Sequence, residues 1–298
     1  MNRKGQILEV DVKQQWTSYT IEQLIKNVWN VPKKLAHELR MTKGVFVNGK
    51  IVPWHTVLTE GDTLSLNILH DIESPFSPSF EPVEVLYEDE VLVVVNKPAG
   101  LDTHPNHPTD EDTLLQRVCG YCLMNGEIRA VQHVHRLDRD TSGAVLFAKV
   151  PFVKGMLDRQ LETRNIKRTY MALVHGVVQR KQDTISAPIG RDRHHPTRRR
   201  VSRTGQYAVT HYRVLETYPK ERVSLVECTL DTGRTHQIRV HMSSIGHPLV
   251  GDTLYGGKPV VHRQALHAKR LTFVHPLTQE KITCEAPIPD SVFEPYIE

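Results

Sequence analysis

Apolar positions along the chain recur with two different periods, and the change from one to the other divides it. Ile21, Leu24 and Ile25 follow Thr20, whose hydroxyl can accept from the first free backbone N–H groups, so a short capped helix is predicted there. From about Pro32 a second helix places Leu35 and Leu39 on one side and Lys33, Lys34 and Arg40 on the other. Val45-Phe46-Val47, Asn48-Gly49 and Lys50-Ile51-Val52 read as strand, turn and strand, because Asn-Gly accepts the positive φ angles of a two-residue hairpin. Between Asp71 and Pro82 prolines and serines replace any regular apolar period. The expected division is a helix–helix–hairpin unit over 12–70, a linker over 71–82 and a larger domain over 83–298.

Beyond the linker the pattern turns to strands. Val83 to Tyr87 and Val91 to Val95 suggest a hairpin whose second strand is buried on both faces and delivers Asn96-Lys97-Pro98 to its end. Ala144 to Ala148 is a further buried strand, with Thr141-Ser142-Gly143 before it as a tight turn. Helical spacing returns in Leu114, Leu115, Val118, Cys119 and Cys122, and after Pro151 in Phe152, Val153, Met156, Leu157 and Leu161. Thr169 to Val174, the alternating Ala208, Thr210, Tyr212 and Val214, and Val223 to Leu230 are again strands. Long strands with few helices between them predict an α+β class with a mixed, largely antiparallel sheet and flanking helices. No G-x-G-x-x-G or Walker-type loop is present, so no nucleotide cofactor is expected.

Charge refines this picture through its distribution. A formal net charge of +4 is too small to identify a nucleic-acid binder. The stretch Arg191 to Arg203, however, is basic and lacks apolar periodicity, so it is expected as a mobile, phosphate-binding loop in which Arg198, Arg199 and Arg200 stand together. Met1 to Val12 holds no apolar run of signal-peptide length and nothing later approaches a membrane span, so a cytoplasmic location without membrane partners is expected. The lone C-x-x-C of Cys119 and Cys122 fits a buried helix face. The seventeen histidines, among them His133 and His135 on one strand face and His194-His195 in the basic loop, show no ligand spacing, so no metal is expected.

Asp138 sits between Arg136 and Arg139 just ahead of a buried strand, where nearby guanidinium groups would favour its ionised form. An Asp between arginines is more often part of a surface salt-bridge loop. The surrounding residues, His135-Arg136-Leu137-Asp138-Arg139-Asp140-Thr141-Ser142-Gly143, resemble the signature of the RluA-type pseudouridine synthases, which isomerise uridine within structured RNA. Asn96-Lys97-Pro98-Ala99-Gly100, Lys167-Arg168-Thr169-Tyr170, Thr232 to His241, Leu266-His267-Ala268 and Phe273-Val274-His275-Pro276 resemble the same family in the same order. The likeness runs over roughly residues 80 to 298. The helix–helix–hairpin unit is similar to the alpha-L RNA-binding domain first known from a ribosomal small-subunit protein.

The resemblance implies roles residue by residue. Asp138 is the catalytic carboxylate, Arg239 pairs with it, and Tyr170 packs on the uracil and is a candidate to remove the carbon-five proton, directly or through water. Ile238 lines the base pocket, Arg136 and His135 help to open the RNA, and Asn96 and Lys97 fall among the substrate-binding positions. In the first unit Lys33, Lys34, Arg40 and Lys43 are implied to meet RNA phosphates. The carboxylate can attack the anomeric carbon or take the neighbouring sugar proton to give a glycal, and the sequence leaves both routes open. Two other readings compete: a non-catalytic RNA-binding or ribosome-assembly factor, and an RNA glycosidase pairing Asp138 with Asp140. The expected partner is ribosomal or transfer RNA, and a monomer is expected because no apolar helix stripe is left unpaired.

Overall fold

The structure, a computed structural model, describes residues 1–288 and 291–296. The first unit is an antiparallel sheet of five strands, β1 (Asn2–Lys4), β2 (Ile7–Asp11), β3 (Val45–Val47), β4 (Lys50–Ile51) and β5 (Thr63–Asn67), in the order β1-β2-β5-β3-β4. Helix α1 (Ile21–Gln23) starts in a reciprocal capping box between Thr20 and Gln23 and continues as a π-helical turn over Leu24–Val28. Helix α2 (Lys33–Met41) buries Ala36 and Leu39 and leaves its charged side open. Asn48 and Gly49 turn the hairpin with φ of 50° and 75°.

This unit begins earlier than the sequence pattern suggested. Leu8, Val10 and Val12 alternate into its core, and β2 pairs with β5 from Ile7↔Asn67 to Asp11↔Thr63, so the strands before residue 12 belong to it. The segment 71–82 lies against the following domain, where the Ser79 amide donates to the Gln116 carbonyl at 3.0 Å.

The second unit is built on β6 (Glu84–Glu88), β7 (Leu92–Lys97), β8 (Gln132–His133), β9 (Ser142–Ala148), β10 (Lys167–His175), β11 (Gln182–Ser186), β14 (Val209–Tyr218), β15 (Val223–Leu230), β16 (Leu266–Val274) and β17 (Lys281–Glu285). The main path is β11-β14-β15-β10-β16-β9-β7-β6, with β17 on β16 and β8 on β9. Only β9 and β16 run parallel within this sheet among the described residues. Val93, Val95, Val145 and Phe147 face α3 (Leu114–Met124), whereas Leu92, Val94, Leu146 and Ala148 face α4 (Pro151–Glu162) and the first unit. Burial on both faces explains why β7 and β9 read as unbroken apolar runs. The two units share this second core, and Trp29 Nε1 donates to the Leu277 carbonyl at 3.1 Å. Among the described residues no helix is long and apolar enough to cross a membrane.

Two expectations change here. Thr141-Ser142-Gly143 does not form the turn. The turn starts three residues earlier, at Asp138, whose carbonyl accepts from the Thr141 amide at 3.0 Å, and β9 already includes Ser142 and Gly143. Gly143 (φ 115°) lies so close to β16 that a Cβ would stand 2.3 Å from the Ala268 carbonyl oxygen. The basic stretch is also not a loop throughout. β12 (Ile189–Arg191) and β13 (Arg199–Val201) pair in a hairpin, with the Asp192 carboxylate accepting from Arg198 Nε at 2.7 Å across its tip. Periodicity missed it because its residues project largely into solvent, which imposes no apolar alternation.

Candidate active site

A cleft of about 640 Å³ opens where the β8–β9 loop, β10, the end of β15 and helix α5 (Gln237–Ser244) converge. Its lining includes Asp138, Tyr170, Ile238 and Arg239, brought together from three distant segments. Asp138 Oδ2 lies 3.0 Å from Arg239 Nη1, and Arg239 in turn grips both Asp252 oxygens, Nε to Oδ2 at 2.7 Å and Nη2 to Oδ1 at 2.9 Å. Burial works against the Arg239 charge, but the bonds to Asp252 and the field of Asp138 outweigh it and hold the guanidinium protonated.

The loop bearing Asp138 is pinned from below. The Arg139 carbonyl accepts from Lys97 Nζ at 2.8 Å and from the Gly100 amide at 3.0 Å. The Thr103 hydroxyl engages both the amide and the carbonyl of Leu137, at 3.1 and 3.0 Å. Arg263 donates to the Asp140 carbonyl and to the Ser142 hydroxyl, each at 3.3 Å. These contacts leave the Asp138 side chain one-fifth exposed, facing the cleft.

Opposite stands His236, whose backbone takes a left-handed φ of 59° at the start of α5. Gln237 fixes that approach, accepting from the Arg234 amide and the Thr232 hydroxyl and donating to the Val209 carbonyl. Tyr255 Oη accepts from the Arg199 amide and lies against His236 Nδ1, both at 2.8 Å, while its ring sits 5.0 Å from the Arg239 guanidinium. The direction of that contact follows the imidazole tautomer: with the Tyr255 proton on Nδ1, the neutral ring carries hydrogen on Nε2, 3.9 Å from Asp138 Oδ2. Burial lowers the His236 pKa despite the opposing field of Asp138.

The other expected residues fall into two groups. Arg136 is exposed at the cleft, and Ile238 lies in its wall at 3% exposure. His135 reaches the lining but is otherwise interior and off any strand; its Nε2 accepts the Leu146 amide at 3.3 Å, and burial pushes its pKa down to about 3. Asn96 and Lys97 do not line the cleft. The Asn96 amide donates to Glu84 on β6, and Lys97 Nζ donates to the carbonyls of Pro98, Leu101 and Arg139, so Lys97 braces the loop from behind and Asn96 ties β7 to its neighbour. Burial lowers the Lys97 pKa to about 7. Arg139 also turns away from Asp138, its Nε on the Gly100 carbonyl at 3.1 Å. The cation in contact with the acid is therefore Arg239, and neither arginine adjacent in sequence makes that contact. Asp140, weighed as a second carboxylate, lies outside the lining.

Sequence reasoning passed over Asp252 and Tyr255. Both lie in Gly251-Asp252-Thr253-Leu254-Tyr255-Gly256, where an acid and a phenol between glycines were the available signal. Lys33, Lys34, Arg40 and Lys43 are exposed on α2 and the turn after it. Arg40 lies 5.6 Å over the Trp54 ring, in a groove that also takes Lys33, His37 and, from α4, Arg159. Arg198 and Arg200 are exposed on the β12–β13 hairpin, whereas Arg199 is half-buried. Among the described residues no group of three or more His, Cys, Asp or Glu side chains could hold a metal ion. Cys119 and Cys122 are buried in α3, and burial pushes the Cys122 thiol up to about 12.

Residues 91–244 match the family model described as RNA pseudouridylate synthase, and residues 8–64 match that of the RluD ribosomal pseudouridine synthase N-terminal domain. The chain is 44% identical over 290 residues to the uncharacterized RNA pseudouridine synthase YhcT of Bacillus subtilis, covering 97% of this chain and 96% of that protein. It is 39% identical over 264 residues to the ribosomal large subunit pseudouridine synthase D of Neisseria meningitidis, covering 84% and 70% of the two chains. The solved structure of human RNA pseudouridylate synthase domain containing 1 superposes with a TM-score of 0.59 at 29% identity, covering 71% of this chain and 85% of that one. The chain belongs to the RNA pseudouridylate synthase family, and is an isomerase that converts uridine in structured RNA to pseudouridine.

Proposed function

We propose that Asp138 is the group that opens the glycosidic bond of an extruded uridine, and that the RNA is ribosomal. The observation that carries the first part is the 3.0 Å contact between Asp138 and a guanidinium that is itself locked to Asp252. One carboxylate oxygen is held by this fork, and the acid keeps a fixed direction into the cleft. Such positioning suits either attack on the anomeric carbon or removal of the adjacent sugar proton. The choice of ribosomal RNA is supported by the named function of the Neisseria relative.

Tyr170 supplies a ring face rather than a base. It is 5% exposed, and burial raises its phenol pKa, so it stays protonated while a planar uracil packs on it. Its place beside Ile238 and Leu266 keeps water from the detached base. Arg136, exposed at the mouth, fills the gap left when the nucleotide leaves its stack, a step that costs a few kcal/mol. Phosphates of the same RNA lie along Lys33, Lys34, Arg40 and Lys43 on one side and the hairpin arginines Arg198, Arg199 and Arg200 on the other.

The test uses RNA labelled with tritium at carbon five of uridine. Asp138→Asn should release no tritium and still bind RNA within a few-fold of the unaltered protein. Turnover in that variant would reject the assignment. Mapping of modified uridines in total RNA, with and without the protein, tests the ribosomal target.

A further inference from the structure

Arg168 is an uncompensated cation in the floor of the cleft. It lies on β10 two residues before Tyr170, so both side chains leave the same face of the strand, and both line the cleft. It is only 8% exposed, its Nε is buried without a hydrogen-bond partner, and it makes no ion pair among the described residues. The loop opposite accommodates it through Gly233, where a Cβ would stand 2.7 Å from Arg168 Nη1.

Among the described residues no carboxylate pairs with Arg168, and Glu162, the remaining acid of the lining, is exposed. The Asp138 carboxylate is engaged by Arg239, and Asp231 by Arg164 and His211. The two titratable neighbours that sense Arg168 are neutral, His135 because burial lowers its pKa to about 3 and Tyr170 because burial raises its own. A guanidinium buried in this way implies an anion that arrives with the substrate. Phosphates are served by the exposed Arg136 and Arg164 at the mouth, whereas Arg168 lies at the depth of the base.

We infer that Arg168 is a catalytic residue that binds the uracil ring and stabilises the negative charge it carries once detached from the sugar. This rests on the reading of Asp138 given above. If the Asp138 oxygen bonds to C1′, the C1′–N1 bond breaks and its electron pair leaves on uracil, spread over N1 and the carbonyl oxygens. If Asp138 instead takes the C2′ proton, the pair of that C–H bond forms the C1′–C2′ double bond of the glycal, and the N1 pair again leaves with the base. On recombination through carbon five, the carboxylate is expelled or returns its proton to C2′. The base then loses its carbon-five proton and gains one at N1. In both routes the charge exists only between cleavage and rejoining, when an oriented guanidinium lowers the barrier most.

The experiment compares Arg168→Gln and Arg168→Lys in single-turnover reactions of the full chain, on RNA carrying uridine or 5-fluorouridine at the target. Fluorine withdraws charge and makes the base a better leaving group, so the need for the cation falls. Arg168→Gln should slow loss of the uridine substrate by about a hundredfold, with RNA affinity within twofold. The defect should shrink by about tenfold on the fluorinated RNA, and Arg168→Lys should recover part of the rate. An equal defect on both RNAs, weaker RNA binding at an unchanged rate, or no defect at all would overturn the inference. Should Arg168→Gln fail to fold, the same comparison is read from Arg168→Lys, where an equal rate loss on both RNAs is again fatal. If Asp138→Asn stays active the underlying reading fails; if it is inactive and the leaving-group effect is absent, only the role of Arg168 falls.

Discussion

Arg239 Nη1 donates to Asp138 Oδ2 at 3.0 Å across 101 positions of chain. The rest of the guanidinium is held by Asp252, whose side chain is 1% exposed, so the fork serves one acid that is wholly interior and one that faces the cleft. Arg239→Ala should remove turnover and cost about 3–5 kcal/mol of stability, because it strands the buried Asp252. Asp252→Asn keeps the shape but halves the grip and should cost about 1–3 kcal/mol. In urea denaturation the double variant should lose clearly less than the sum of the two single losses. Additive losses would show that the fork is not a unit.

Tyr255 joins the basic hairpin to the site through its hydroxyl, which meets the Arg199 amide and His236 Nδ1 at 2.8 Å each. Tyr255→Phe keeps the ring beneath Arg239 and deletes only those bonds. Stability should fall by about 1 kcal/mol, with kcat reduced several-fold and RNA affinity retained. Nitrogen-15 NMR of labelled histidine should show His236 leaving its Nε2–H tautomer. An unchanged imidazole spectrum would remove the proposed hydrogen-bond direction.

His135 makes stability depend on acid. Its pKa is about 3 in the folded chain against an ordinary 6.5, so the unfolded state binds the extra proton between those values. The stability is present above pH 6.5 and is lost as pH falls toward about 3, at about 1.4 kcal/mol per pH unit. His135→Gln can still accept from the Leu146 amide but cannot take up a proton there. Urea midpoints between pH 7 and 4.5 should therefore decline less steeply in the variant. Parallel slopes would place the acid sensitivity elsewhere.

The two basic surfaces should separate from chemistry in a salt titration. Replacing Lys33, Lys34 or Arg40 on α2, or Arg198 or Arg200 on the hairpin, by Ala should weaken RNA binding and lower the slope of log affinity against log salt by up to about one per lost phosphate contact. Single-turnover rates at saturating RNA should stay close to those of the unaltered protein. A variant with an unchanged slope would remove that residue from the RNA interface.

The main sheet was legible because burial on both faces leaves unbroken runs such as Val91 to Val95 and Ala144 to Ala148, which few other structures tolerate. The capping box at Thr20 and the Asn48-Gly49 turn were legible for a similar reason: each is settled within four residues of chain. The resemblance brought Asp138, Tyr170, Ile238 and Arg239 together, and all four line one cleft. Adjacency misled at Arg136 and Arg139, because consecutive loop residues point in different directions. Lys97 sits next to the Asp138 loop without entering the cleft, since a buried amine seeks the nearest carbonyls.

Local patterning by itself determined the strands, the helices, their caps and the residue types able to do this chemistry, because backbone hydrogen bonding and apolar burial are set by near neighbours. Only the tertiary structure decided that Arg239 answers Asp138, that Asp252 and Tyr255 stand behind them, that Arg199 reaches the site through its backbone, and that Arg168 is left without a counter-charge. Those are statements about which charges meet and which do not. Electrostatic partnership depends on distance in space and on the water excluded around it, and neither quantity is carried by separation along the chain.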